Sequence, residues 1–249
     1  LPWLCGACTG RGIAYFRGVL IVSTTVICVD GPSGSGKGTL SQRLAEALNF
    51  HLLDSGALYR VVGYAATVNA IDWSDEDGLT QIARSLDVSF LSSATGVRVI
   101  YAGADVTDSV RSVRGGEGAS AVAAIASVRD ALLSRQRELA CPPGLVADGR
   151  DMGTVVFPKA PLKIFLEASA TARAQRRQSQ LQQQGENVSL PRLLEAIEAR
   201  DLRDRTRSAS PLMPAEDAVI VDSTAMTADD VFAHVMSLAT LKGLVHSDG

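Results

Sequence analysis

Cysteine is scarce in this chain: Cys5, Cys8, Cys28 and Cys141 are its four among 249 residues. They are too few and too scattered for a disulfide framework, which points to a reducing, cytoplasmic setting. Cys5 and Cys8 form a C-x-x-C pair, but without a second pair or a histidine cluster nearby the four ligands of a zinc site are missing. Aromatic residues make up 5% of the chain, too few for the stacking platform of a dedicated single-stranded nucleic-acid groove. The net charge of −3 gives no general attraction to nucleic acid or to a membrane surface, so neither is expected as a partner. Long apolar runs are absent as well. The opening stretch LPWLCGACTGRGIAYFRGVLIVSTT is broken by Arg11 and Arg17, has no clear small-residue cleavage site and is too short to cross a bilayer. Residues 1–24 are read as an atypical N-terminal extension, with the functional protein beginning near Val19 or Val22. Lysine is the last scarcity: arginine outnumbers it 20 to 4. The planar two-pronged guanidinium suits an enzyme of phosphate esters, although a biased genome gives the same excess.

What is present is concentrated first at Val26–Asp30. This short apolar strand runs into GPSGSGKGT, Gly31 to Thr39. Gly31, Gly34, Gly36 and Gly38 allow backbone conformations closed to residues with a Cβ, so that successive N–H groups turn inward around an anion. Lys37 adds a mobile positive charge. A helix from about Gly38 to Leu48, with Leu40, Leu44 and Leu48 on one face, aims its positive dipole end at the same point. A Gly-Ser loop alone is often only a flexible connection, but the strand before it and the amphipathic helix after it support a phosphate cradle. The usual pattern ends Gly-Lys-Ser/Thr. Here Gly38 follows Lys37 and the hydroxyl arrives at Thr39, which leaves a direct metal contact by Thr39 open.

Downstream, His51–Asp54 reads as a strand followed by a helix with Leu58, Val61, Val62, Ala65 and Val68 inward. Ser55 and Arg60 near its start are placed to meet a second phosphate group, while Ser55 is equally well explained as a helix cap. Between about 72 and 111 the pattern shifts to a small insert: a helix from Ser74 to Leu86, then strands at 88–90 and 97–101 joined through Gly96. A helical stretch from Gly115 to Ala140, broken near Ser127, precedes a buried strand that ends in Asp148-Gly149-Arg150-Asp151. Carboxylates at the end of an α/β strand fall on the ligand side of the sheet. After a strand at 162–166, a helix carries Arg173, Arg176 and Arg177. The polar stretch from Gln178 to Asn187 is read either as a solvated hairpin or as a lid that brings arginines over a transferring phosphate. Arg200, Asp204 and Arg207 share a helix face, either in the site or as surface ion pairs worth little. A last strand at 219–221 and a helix from 228 to 240 close the chain. Strands separated by helices imply an α/β protein with a mostly parallel central sheet flanked by helices.

LLDSGALYR (52–60), VADGRDMGTVVFP (146–158), LKIFLEAS (162–169) and RDLRDRTRSASPL (200–212) occur in the order and spacing seen in bacterial cytidylate kinases, and the chain closely resembles that family from about 25 to 239. The resemblance implies the P-loop kinase fold of the nucleoside monophosphate kinases, with a kinase domain at 25–240, a β-containing insert about 72–111, a helical lid about 173–190 and a tail at 241–249. It implies transfer of the ATP γ-phosphate to CMP and dCMP, with Mg²⁺, by a monomer of pyrimidine nucleotide metabolism. Gly31, Pro32, Ser33, Gly34, Ser35, Gly36, Lys37, Gly38 and Thr39 would then cradle ATP. Ser55, Arg60 and Arg150 match contacts to the CMP phosphate. Ser120, Arg129 and Asp151 match the residues that read cytosine, and Arg200, Asp204 and Arg207 match contacts to phosphate and sugar. Phosphoryl transfer needs alignment and charge neutralisation rather than a strong base. Lys37, Arg150, Arg176 and Arg177 are therefore the catalytic candidates. Asp148 joins them as an organiser of Mg²⁺ through water, or else is a turn carboxylate at a strand end; no direct protein ligand to a metal is assigned. The rival readings are a kinase for AMP, UMP or shikimate, and a nucleotide switch that seldom turns over.

Overall fold

The computed structural model describes residues 24–93, 96–183 and 185–245. Residues 1–23 of the expected extension, with Cys5 and Cys8, and residues 246–249 of the expected tail lie outside the described residues. Among the described residues the main sheet has five parallel strands in the order β2-β6-β1-β7-β8: β2 His51–Asp54, β6 Leu145–Gly149, β1 Val26–Asp30, β7 Leu162–Glu167 and β8 Val219–Asp222. β1 is central and buried along its whole length, as expected for a strand covered by helices on both faces. Ile27 and Val29 pack on one side with Leu40 and Leu44 of α1 (Lys37–Leu48), Leu162, Ile164, Leu166 and Val235 of α9 (Ala228–Leu241). Val26 and Cys28 pack on the other with Leu58, Val61 and Val62 of α2 (Ser55–Val68) and Leu132. Each fully buried Leu or Ile contributes roughly 1.5–3 kcal/mol. Because the strands are parallel, Asp30, Asp54, Gly149 and Glu167 all end at one edge of the sheet, where the glycine loop lies.

The region about 72–111 forms a separate antiparallel sheet β3-β4-β5, made of Val88–Ser93, Gly96–Tyr101 and Ala104–Asp105. Its third strand and the short α4 (Thr107–Arg111) went unread, since two and five residues are too few for a periodicity. The helix before it, α3, spans Glu76–Arg84 and is capped by Asp75 rather than started by Ser74. The helical stretch after it divides into α5 (Val113–Val122) and α6 (Ala126–Glu138), so the break falls at 123–125, ahead of Ser127.

Four further expectations are corrected. Val68 is 61% exposed at the end of α2, one turn past the buried face that Ala65 closes. Ser55 does not cap α2; the cap is Asp54, whose carboxylate accepts from Ala57 N at 3.0 Å. The polar stretch after Arg177 is helical as far as Gln183, in α7 (Ala170–Gln183), because its glutamines are good helix formers with nothing to break them before Gly185. Arg207 lies just beyond α8 (Leu190–Thr206), as its C-cap with extended backbone. Among the described residues no helix is long and apolar enough to cross a membrane.

α5 begins Val-Arg-Gly-Gly and needs its cap, since two glycines in the first turn oppose helix formation. Ser112 supplies it, accepting from Gly115 N at 3.1 Å. Ser112→Ala is expected to lower stability by about 1 kcal/mol, seen as a lower urea midpoint at unchanged slope. An unmoved midpoint would show that tertiary packing against α2 alone holds this helix.

Candidate active site

Two clefts open at the sheet edge and meet at Lys37. The first, about 280 Å³, is lined by all of Ser55, Arg60, Ser120, Arg129, Arg150, Asp151, Arg200, Asp204 and Arg207, brought from α2, α5, α6, the turn after β6, α8 and its C-cap. The second, about 420 Å³, is lined by the loop from Gly34 to Thr39, by Arg173, Arg176, Arg177 and Gln180 of α7, and by Ser223, Met226, Thr227 and Val231. Gly34, Lys37 and Gly38 line both. Gly31 and Pro32 are buried beneath the loop.

The loop owes its shape to glycine at two positions above all. Gly31 has φ +148°, and a Cβ there would come within 2.0 Å of the Leu166 carbonyl oxygen on β7, so the chain passes flush against the sheet. Gly36, at φ +100°, turns the loop into α1 and presents the first amides of that helix to the second cleft. Gly38 lies in the helix, as expected, and a Cβ there would meet Asp148 Oδ2 at 3.7 Å, an ordinary contact. Lys37 departs from expectation, because its side chain is buried and folded back, with Nζ donating to Pro32 O at 2.8 Å. It is therefore preplaced at the junction rather than swinging in from solvent. Burial pushes Lys37 down, aided by Arg150, while Asp148 opposes the shift. Burial pushes Asp148 up, and Lys37 pulls it back.

The first cleft holds a surplus of positive charge, with Lys37, Arg60, Arg129, Arg150, Arg200 and Arg207 facing Asp54, Asp148, Asp151 and Asp204. Arg200 is pushed down to about 10 by burial and by Arg150, with Asp204 opposing. Arg207 is lowered by burial and then by Arg129, and Arg60 by burial, although Asp54 opposes it. Buried cations that repel one another call for an anion. Their hydrogen bonding agrees. Ser120 Oγ, Arg129 Nε, Arg200 Nε and Arg207 Nη2 are buried without a partner, a costly condition that a polar ligand relieves.

At the far end of this cleft Arg129 and Asp151 form a buried ion pair. Arg129 Nη1 also donates to Ala123 O at 3.1 Å, and its guanidinium lies 5.2 Å from the centre of the Tyr59 ring. Nearer the loop, Arg150 Nε meets Asp204 Oδ2 at 3.1 Å. Arg60 Nη1 donates to Val110 O at 2.8 Å. The arginines of α7 divide three ways. Arg173 is 3% exposed and committed to Asp201, Ser33 O and Ala168 O. Arg176 is committed to Ser35 O and to Ser223. Arg177 has one long contact to Gln180 Oε1 at 3.5 Å and faces the second cleft.

Sequence reasoning assigned no role to Tyr59, Asp30 or Arg173. Tyr59 stood beside Arg60 in the LYR run, where an aromatic on a helix reads as core. Asp30 offered a signal, a carboxylate closing an otherwise apolar strand immediately before the loop.

For a divalent ion the donor chemistry is informative. Among the described residues no group of three His, Cys, Asp or Glu side chains is placed to hold a metal, and Asp148 is the carboxylate beside the loop helix. One carboxylate with phosphate oxygens and water fits Mg²⁺, which retains several waters and binds largely through substrate phosphates.

The arrangement can hold two phosphate-bearing ligands end to end, with a lysine between them. The family model described as cytidylate kinase matches residues 27–241. The "Cytidylate kinase" of Pectobacterium carotovorum subsp. carotovorum (strain PC1) is 54% identical over 220 residues, covering 88% of this chain and 98% of that one. That of Aliivibrio salmonicida (strain LFI1238) is 52% identical over 223 residues, covering 90% and 100%. That of Shewanella denitrificans (strain OS217 / ATCC BAA-1090 / DSM 15013) is 54% identical over 215 residues, covering 86% and 95%.

Proposed function

Because the chain belongs to the cytidylate kinase family, we propose that it transfers the γ-phosphate of ATP to CMP and dCMP, with Mg²⁺, giving CDP and dCDP. The observation that carries this reading is the first cleft, which brings together the buried Arg129–Asp151 pair, Lys37 and unpartnered buried groups of Ser120, Arg129, Arg200 and Arg207. The second cleft takes ATP, with its phosphates on the amides of Gly34 to Thr39. CMP lies in the first cleft, its phosphate toward Arg60, Arg150 and Lys37. Arg200, Asp204 and Arg207 hold phosphate and sugar, and Ser55 lies against the phosphate end.

Asp151 accepts from the cytosine amino group, while Arg129 and Ser120 donate to the ring's acceptors. Uracil carries an acceptor where cytosine carries that amino group, so it leaves Asp151 facing an oxygen. The moving phosphoryl group passes between the two clefts at Lys37. Lys37 and Arg150 are in place to neutralise its charge, and Arg177, the less committed arginine of the α7 pair, reaches it from above. Asp148 would hold Mg²⁺ through water, with the nucleotide phosphates as its other ligands, and the ion would supply further positive charge against the transferred group. The insert about 72–111 and the hairpin of α7 and α8 about 173–190 serve as the acceptor-side and donor-side covers. A monomer working in the cytoplasm, where nucleotide pools reside, completes the reading.

ADP release by the purified chain with ATP and Mg²⁺, offered CMP, dCMP, UMP, AMP or no acceptor, tests it. Strong turnover with CMP and dCMP and weak turnover with UMP and AMP are expected. Equal turnover of CMP and UMP would remove the base-reading assignment, and none with any acceptor would remove the reaction.

A further inference from the structure

The turn that carries Arg150 and Asp151 runs straight into a π turn, Met152–Val156. Its wide bonds start at Asp151 itself, whose carbonyl accepts from Val155 N at 2.9 Å and Val156 N at 3.1 Å, while Phe157 N bonds Met152 O at 2.7 Å. π turns are rare and are often found at functional sites.

This one is pinned at both ends by side chains from other elements. At its start, Asp30 of β1 accepts Met152 N on Oδ1 at 2.9 Å and Gly153 N on Oδ2 at 2.8 Å. Asp30 is 5% exposed, so the two amides have no water to turn to. At its end, Arg137 of α6 donates from Nε to Val156 O at 2.9 Å and from Nη2 to Val155 O at 3.0 Å. Gly153 makes the first clamp possible, because a Cβ there would press to 3.0 Å from Lys163 Cδ and 3.4 Å from Asp30 Oδ2. Met152 is fully buried and acts as a wedge below.

We infer that Asp30 and Arg137 are positioning residues for base selection: by clamping the π turn they aim the Asp151 carboxylate, and so set how well the site tells cytosine from uracil. Neither side chain needs to touch the nucleotide. Asp151 has its carbonyl fixed inside the π turn and the two amides after it fixed on Asp30, so its side chain leaves a backbone held on both sides. Asp30 is also the residue before Gly31, which ties the frame of the base-reading turn to the root of the phosphate loop.

This inference rests on Asp151 as the reader of the base. Its test uses the full chain with ATP, Mg²⁺ and either CMP or UMP, and compares kcat/KM for the two. Asp30→Asn keeps the shape but turns one acceptor into an N–H that opposes a backbone N–H. Leaving such a donor unpaired in a buried place is expected to lower the CMP-to-UMP ratio by about tenfold, raising KM for CMP while KM for ATP stays within about twofold. Arg137 is exposed, so Arg137→Ala folds, and a fall of about threefold in the same ratio is expected of it; Arg137→Lys restores part of it. If Asp30→Asn is insoluble, Arg137→Ala decides. A ratio unchanged in the folded variants, with any loss shared equally by CMP and UMP, would overturn the inference. A wild-type chain that fails to prefer CMP would instead remove the reading on which it rests.

Discussion

Lys37→Ala is expected to fold, to retain both clefts and to lower kcat by roughly 10²–10³-fold. Lys37 lines both clefts, is buried, and is held by Pro32 O at 2.8 Å, so under the proposed reading its ammonium would already stand where charge moves from one nucleotide to the other. A group preplaced in this way needs no reorganisation at the transition state, and its burial strengthens its pull on the moving charge. Its removal is felt more in kcat than in either KM, because ground-state phosphates keep the amides of the loop and the arginines on either side. Lys37→Arg is not expected to rescue, since a planar guanidinium does not fit a pocket built for a compact ammonium. Steady-state kinetics with both substrates varied, alongside circular dichroism, checks this. A folded variant whose kcat lies within a few-fold of the wild type would remove Lys37 from the chemistry.

The second large effect is at Asp151. Asp151→Ala leaves the Arg129 guanidinium buried and unpaired, and removing one member of such a pair costs about 3–5 kcal/mol; part of the damage will therefore be to stability. Asp151→Asn separates the two effects. It keeps the volume and offers Arg129 a carbonyl oxygen, but would present an N–H₂ group where, under the proposed reading, the carboxylate meets the cytosine amino group. Efficiency with CMP is expected to fall by about 10²-fold or more. UMP should lose little or gain, since the carbonyl oxygen at its C4 finds a donor, while KM for ATP is unmoved. Ratios of kcat/KM measured with CMP and UMP decide it. Unchanged discrimination would reject Asp151 as the reader of the base.

Much of the scaffold was legible because its signals are local. An apolar five-residue run, a glycine loop and a leucine-faced helix state their own geometry, and the strands at 144–148, 162–166 and 219–221 announce themselves as short apolar runs between helices. The meeting of Ser55, Ser120, Arg129, Asp151 and Arg207 in one cleft was not legible from periodicity. Those residues lie far apart in the chain, and the likeness to a family of kinases supplied the grouping. What neither source gave are properties of packing. Lys37 reads as mobile until burial and the Pro32 carbonyl hold it. Arg176 and Arg177 read as a catalytic pair and Arg173 as a bystander, yet burial and carbonyl contacts commit Arg173 and Arg176 and leave Arg177 facing the second cleft. The π turn has no periodicity of its own in five residues, and its clamp joins residues more than a hundred positions apart.

The buried pair of Arg173 and Asp201 has a mechanical consequence. It bolts α7 to α8, and the same guanidinium donates to Ser33 O at 3.0 Å and Ala168 O at 2.9 Å. Helix hairpin, β7 exit and phosphate loop are thus joined at one rivet that no ligand has to form. If this hairpin bends when a nucleotide enters, the bend is expected beyond Arg176, which Ser35 O and Ser223 also hold, while the loop at Ser33 keeps its place.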